Sequence, residues 1–417
     1  MKKKILAWSD APTAGTGFGV VSKHVLGALY ATGKYDIHHL AINFHGDFVD
    51  KEECPWELQP AKLLDPNDPH GLKMFLRTLL KTDYDIVWVC NDLFVTTQIA
   101  DAVTRVKERA KAQGKKPPIF IYYYPVDCKV KSETTKFLKA VDIPVCYTDH
   151  AREATLDVCP ELESKLQQIP HGVDTSSYYK CTPDEVAVWK HQYLGVSPLT
   201  TVVVNVNRNT TRKQLPYSIK AFLEFRKQVP DSIMYMHTAM VDQGGNLEQV
   251  LQDLNISSQK DIIFPARYSP ASPAPVDIMN RLYNCGDIFL TTHLGEGWGL
   301  TITEAMAAGT PVVAPNNTCM PEQLGANSER GYMYECKDTI WIDSSGWRPK
   351  GLLDDISNQM LLAHEDNQKN TINPKIKLAR EYAVNHDWKI IGQKWVQLFE
   401  QAEYIGSNQT IAVIEEI

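Results

Sequence analysis

The 417-residue chain predicts an α/β fold made of two Rossmann-like, doubly wound parallel-sheet domains. Three observations carry that prediction. Short apolar runs alternate with amphipathic stretches along the whole chain, the pattern of buried parallel strands joined by helices. The alternation comes as two similar series, separated between Tyr178 and Pro198 by a stretch with no strand of its own. In each series a glycine turn directly follows a strand, where the chain must pass from strand to helix.

Taken in order, the strands of the first series are Ile5 to Ser9, Ile37 to Asn43, Asp85 to Cys90, Ile119 to Tyr124, Val145 to Thr148 and Gln167 to Ile169. Those of the second are Thr201 to Asn207, Ile233 to His237, Ile262 to Pro265, Ile288 to Thr291, Pro311 to Ala314 and Tyr332 to Tyr334. The separating stretch contains Pro183 and Gly195, residues that punctuate elements, so a hinge is expected there. Domains are therefore expected at 1–180 and 181–385, with 386–417 as a closing helix and tail. Within Pro374 to Ala402, the residues Leu378, Tyr382, Trp388, Ile391, Trp395, Leu398 and Phe399 give helices a broad apolar face. Gly406 to Ile417 reads as a loose tail.

Composition narrows the class further. A hydrophobic fraction of 43% and a charged fraction of 22% suit sizeable cores and argue against global disorder. No apolar run approaches the ~20 residues that span a bilayer, and Ile5 to Trp8 is too short for a secretory h-region, so a cytoplasmic protein is expected. The nine cysteines include no C-x-x-C pair, which suggests neither a disulfide framework nor a structural metal site. Net charge is −7, and the acid excess lies wholly in the second half: residues 1–180 hold 23 basic and 23 acidic side chains, residues 181–417 hold 20 and 27. Such acidity disfavours coating nucleic acid by charge alone. Locally, Arg105 to Lys139 carries ten basic residues against three acidic ones, an excess of +7 that reads as a solvated face or as a surface toward a polyanion.

Three constellations carry chemistry. Gly15-Thr16-Gly17-Phe18-Gly19 follows the first strand and opens a helix, which brings backbone N–H groups toward an anion or simply makes a tight turn. Its order is not G-x-G-x-x-G, and no ribose-reading acid follows about 20 residues on, so a dinucleotide fingerprint is weak. Glu296-Gly297-Trp298-Gly299-Leu300-Thr301-Ile302-Thr303-Glu304 places one carboxylate in a strand-to-helix loop and a second on the helix, with open helix N–H groups between. Two carboxylates bracketing an anion site suit a ligand with hydroxyls at both ends, as a sugar nucleotide has. Arg208-Asn209-Thr210-Thr211-Arg212-Lys213 sets three cations at the carboxyl end of the second series' first strand, where phosphate charge is readily neutralised.

The segment Glu296 to Val313, the pair Arg208 and Lys213 spaced R-x4-K, and Ile169-Pro170-His171-Gly172-Val173-Asp174 together resemble the retaining family 4 glycosyltransferases of the GT-B fold. The resemblance implies two Rossmann-like domains facing across a cleft, an N-terminal half selecting the acceptor, and a C-terminal half holding a nucleoside-diphosphate sugar such as UDP-glucose. The last helix would cross back to the first domain. Carried over by residue, Glu304 would bind the donor ribose, Glu296 the sugar hydroxyls, and Arg208 and Lys213 the diphosphate. The loop Gly297, Trp298, Gly299 with the amides of Leu300 and Thr301 would complete the donor site, with Gly17 against the phosphates or sugar and Arg267 near the base. Such enzymes need no protein nucleophile, no metal and no cofactor beyond the donor; stabilising the leaving group is the requirement.

One position departs from the family pattern. A histidine expected after an N-terminal strand is absent, and the strands end in Cys90-Asn91-Asp92 and Tyr124-Pro125-Val126-Asp127. Asp92 and Asp127 are thus candidates for orienting the acceptor hydroxyl, against readings as an N-cap and a turn aspartate. The basic stretch in the acceptor half allows hydroxylated bases of DNA as acceptor beside a glycan or small molecule. A non-catalytic sugar-nucleotide-binding or partner subunit on the same fold is the alternative, and the retained Glu296, Glu304, Arg208 and Lys213 argue against it.

Overall fold

The computed structural model describes residues 2–257, 260–269, 273–342, 345–369 and 373–405. Among these, one compact unit holds 2–171 and 388–405, and a second holds 172–269 and 273–387. The expected tail from Gly406 lies outside the described residues.

In the first unit seven strands, β1 (Lys3–Asp10), β2 (Tyr35–Ile42), β3 (Glu57–Pro60), β4 (Ile86–Cys90), β5 (Ile119–Tyr124), β6 (Ile143–Cys146) and β7 (Gln167–Gln168), form one sheet in the order β3-β2-β1-β4-β5-β6-β7. Every pairing is parallel. All residues of β4 and β5 are buried, as strands covered on both faces require. One face is covered by two mutually packed helices, Gly17–Ala31 and Trp388–Ile405. The terminal helix buries Trp388, Ile391, Trp395, Leu398 and Phe399, and Trp395 meets Trp88 of β4 and Tyr123 of β5 edge-on. A glycine is needed where the two helices cross: a Cβ at Gly392 would lie 2.9 Å from that of Ala28.

The second unit continues with β8 (Thr201–Val206), β9 (Ser232–His237), β10 (Val241–Asp242), β11 (Gly245–Asn246), β12 (Ile262–Ile263), β13 (Ile288–Leu290), β14 (Val312–Pro315), β15 (Tyr332–Tyr334), β16 (Asp338–Ile342) and β17 (Gly346–Lys350). Six of them make a parallel sheet in the order β12-β9-β8-β13-β14-β15. The pairs β10-β11 and β16-β17 are separate hairpins. Strand order reverses beside β1 and β4 in the first sheet and beside β8 and β13 in the second. Those switch points are where doubly wound sheets open a crevice at their carboxyl ends.

Several boundaries differ from expectation for local reasons. The strand expected at Val145 to Thr148 is Ile143–Cys146, because Thr148 leaves the sheet to cap the helix Asp149–Leu156 by accepting from the Ala151 amide at 3.1 Å. The stretch expected as a hinge contains the helix Pro183–Leu194, opened by a Thr182/Glu185 capping box and closed by Gly195 at φ 66°. The units instead divide after His171. Beyond that point Val173 donates to the His386 carbonyl at 2.9 Å and the Thr175 amide to Asp387 at 3.1 Å, which ties the segment into the second unit.

Candidate functional site

The site grows from the carboxyl ends of β8 and β13. Side chains and backbone stitch the chain after β8 to the loop after β13: the Ser218 and Thr292 hydroxyls meet at 2.6 Å, Thr292 Oγ1 reaches the Lys213 carbonyl at 3.3 Å, and the Leu294 amide donates to the Arg212 carbonyl at 2.9 Å. The loop after β8 folds into a short 3-10 turn, Thr211–Lys213, and Gln214 takes a left-handed φ of 51° to release the next helix. That turn sends Arg212 and Lys213 toward the loop after β13.

There they meet Glu296, which is only 6% exposed. Arg212 Nη1 stands 3.0 Å from one Glu296 oxygen, and Lys213 Nζ pairs with the other. Lys213 also donates to Asn207 Oδ1 at 2.8 Å, and Arg212 to the Gly295 carbonyl. Burial alone would push the Glu296 carboxyl up, but the two cations outweigh it and hold the group well below its ordinary value. His293, on the same loop, is held neutral by burial, its pKa pushed down to about 3, and accepts from the Gly295 amide at 3.1 Å.

The following residues are fixed from behind. Cys319 Sγ lies 3.3 Å from the carbonyls of both Glu296 and Trp298, Gln323 donates to the Trp298 carbonyl at 2.6 Å, and the Glu296 amide donates to Thr318 at 3.0 Å. Gly299 then turns at φ 87° into the helix Leu300–Ala308, and no side chain caps that N-terminus. The first N–H groups of the helix, those of Leu300 and Thr301 among them, therefore face outward with the positive end of the dipole. One turn on, Glu304 accepts from Tyr283 Oη at 2.7 Å. Its carboxyl is pushed up to about 7 by burial, against hydrogen bonds from Tyr283 and Tyr178.

Sequence-predicted residues thus fall in two places. Lys213, Glu296, Gly297, Trp298, Gly299, Leu300, Thr301 and Glu304 are brought together in the second unit. Arg208 starts the same loop but turns aside, its guanidinium bound to Asp242 at 2.8 and 3.3 Å. Arg267 is exposed on the loop after β12. In the first unit, Gly17 opens the helix Gly17–Ala31, capped by Thr16, which accepts from the Gly19 amide at 3.1 Å and donates to Asp10 at 2.5 Å. Asp92 stands at the N-cap position of the helix Leu93–Thr96 without a side-chain cap bond, and Asp127 lies past β5, within electrostatic reach of His150. Sequence reading gave no role to Tyr178, Tyr283, Thr318, Cys319 or Gln323, and it placed Arg212 beside phosphate charge rather than against Glu296. Only Arg212 carried a signal, as one of three cations in six residues. Among the described residues no group of three or more His, Cys, Asp or Glu side chains is placed to hold a metal ion, and no helix is long and apolar enough to cross a membrane.

Comparison with solved structures defines the class. Sucrose-phosphate synthase from Thermosynechococcus elongatus matches 97% of this chain and 100% of its own at a TM-score of 0.70 and 15% identity. A glycosyltransferase from Rickettsia africae matches 96% and 99% at a TM-score of 0.71 and 16% identity. The fold is that of the GT-B glycosyltransferases. In sequence, the family Glycosyl transferases group 1 matches residues 194–340, which contain the β8 and β13 loops and the helix Leu300–Ala308. A GDP-mannose-dependent α-(1-6)-phosphatidylinositol monomannoside mannosyltransferase of Mycolicibacterium smegmatis is 32% identical over 169 residues, 38% of this chain and 40% of that protein. A probable sucrose-phosphate synthase of Thermosipho melanesiensis is 26% identical over 183 residues, 43% and 38% of the two chains. The chain thus spans about two fifths of the length of these curated relatives. The resemblance to family 4 glycosyltransferases of the GT-B fold is borne out.

Proposed function

We propose that the chain is a retaining glycosyltransferase that moves a sugar from a nucleoside-diphosphate sugar to an acceptor hydroxyl. The observation that carries this reading is the Lys213–Glu296 pair beside the uncapped N-terminus of Leu300–Ala308. Lys213 and the helix amides supply positive charge where a diphosphate gathers negative charge on leaving. Glu296 accepts sugar hydroxyls and Glu304 the ribose hydroxyls. Arg208 joins the phosphates by exchanging Asp242 for them, and Gly17, Asp92 and Asp127 of the first unit serve the sugar and acceptor. One curated relative is GDP-mannose-dependent by name, so UDP-glucose is one candidate donor among several.

The acceptor is a glycan or small molecule rather than DNA on this reading. Of the ten basic residues from Arg105 to Lys139, Lys107 pairs with Asp142, Arg109 and Lys115 with Asp83, and Lys139 with Glu161, so three carboxylates from outside the stretch lower the local excess. Reversing the charge of exposed Lys129, Lys131 and Lys136 should leave sugar transfer intact; weakened DNA binding with a flatter salt dependence would restore the DNA reading. The donor itself is tested by thermal-shift screening against UDP, GDP, ADP, TDP and CDP and their sugars. A ligand at ~100 times its Kd adds about 2.7 kcal/mol of stability, so a shift confined to one base names the donor. No shift with any of them would favour a non-catalytic subunit.

A further inference from the structure

Glu296 has two cations where one would neutralise it, and the two are held differently. Lys213 is a single flexible ammonium shared between Glu296 and Asn207. Arg212 Nη1 meets the Gly295 carbonyl as well as the Glu296 carboxylate, while the Arg212 carbonyl receives the Leu294 amide at 2.9 Å. Both residues are tied to the loop that carries Glu296 through their carbonyls, Lys213 by accepting from Thr292 Oγ1 at 3.3 Å, but of the two side chains it is that of Arg212 that also bonds the loop's backbone, at Gly295.

We propose that Arg212 is a positioning residue that keeps Glu296 ionised and in place when an incoming diphosphate draws Lys213 away. The inference rests on the donor reading of this site. With the donor absent, both cations face one carboxylate; with it present, Lys213 divides its charge between Glu296 and the phosphates. Without Arg212, Glu296 would then be a buried carboxylate losing its remaining counter-charge, and it would take up a proton. A protonated Glu296 turns one oxygen into a donor and is a weaker acceptor for sugar hydroxyls. Other titratable groups around it do not replace Arg212: His293 on the same loop is neutral, and Cys319, from the segment leading into the helix Met320–Leu324, is a buried thiol raised well above its ordinary value. A guanidinium suits the role because one of its nitrogens, Nη1, reaches the Gly295 carbonyl and the Glu296 carboxylate at once and the group does not deprotonate.

The test compares the wild type with Arg212→Met, Arg212→Lys and Lys213→Met, using the nucleoside diphosphate and its sugar conjugate selected by the donor screen. Binding of each is measured by calorimetry, and kcat/KM for transfer is followed against pH. Lys213→Met should weaken both ligands. Arg212→Met should weaken the sugar conjugate at least about tenfold more than the bare diphosphate, and it should raise the acid limb of kcat/KM by about one pH unit or more. Arg212→Lys should restore the acid limb, with an intact fold shown by its melting temperature. Equal loss of both ligands in Arg212→Met, or an unmoved acid limb, would overturn the proposal and make Arg212 a phosphate ligand or a structural residue. Failure of the wild type to bind any conjugate would instead sink the donor reading beneath it.

Discussion

Glu296 and Glu304 lie eight positions apart in one segment, yet their surroundings push their carboxyls in opposite directions. Glu296 is buried and Glu304 half-buried, and desolvation favours the neutral acid in each. Arg212 and Lys213 reverse that outcome at Glu296, whereas Glu304 faces two tyrosine hydroxyls and its carboxyl rises to about 7. The sign of the consequence follows. A carboxyl raised on folding contributes stability below its unfolded pKa and loses it as pH climbs through about 7. Glu304→Gln should therefore gain melting temperature on the wild type between pH 5 and about 8, read by calorimetry on the free protein. The same titration governs the ligand: ribose hydroxyls bind the carboxylate better than the acid, so nucleotide affinity should weaken on acidification through about pH 7 in the wild type and stay flat in Glu304→Gln. The spacing of these two residues was legible in the sequence because the glycine turn frames it. Their opposed electrostatics were not, since Tyr178 and Tyr283 come from elsewhere in the chain and carry no local motif.

At the scale of elements, the glycine turns decide whether the site exists at all. Gly299 holds φ 87°, and a Cβ there would stand 2.8 Å from Ile302 Cδ1. Gly299→Ala should cost about 1–2 kcal/mol from the left-handed backbone and weaken nucleotide binding by tilting the helix N-terminus, measurable by denaturant unfolding and titration. Gly19 is tighter still, since a Cβ would meet the Ala14 and Ala11 carbonyls at 2.5 and 2.7 Å. The buried strands were readable because strands covered on both faces are continuously apolar, as β4 and β5 are. Strand β3 and the hairpins β10-β11 and β16-β17 were missed because each is short or largely outside the core, with no apolar run to mark it. The same limit explains Arg208. Its place in R-x4-K is a sequence fact, but its hold on Asp242 depends on where the β10-β11 hairpin puts that aspartate.

On the scale of the whole molecule, two parallel sheets of similar order each offer a switch point, and among the described residues it is the second that gathers a paired carboxylate, two cations and an uncapped helix at it. The two-series pattern foretold both sheets. The return of Trp388–Ile405 to the first unit, read from the family likeness, depends on the indole of Trp395 finding Trp88 and Tyr123 and cannot be inferred from an apolar helical face alone. The central claim is that the second unit holds a sugar nucleotide by its diphosphate through Lys213. It is tested most directly by titrating the wild type and Lys213→Ala with the nucleoside-diphosphate sugar selected by screening, at one salt concentration. Saturable binding by the wild type and a loss of at least about tenfold, ~1.4 kcal/mol, in Lys213→Ala is the expected result. Equal affinity in the two proteins would place the diphosphate elsewhere and contradict the site.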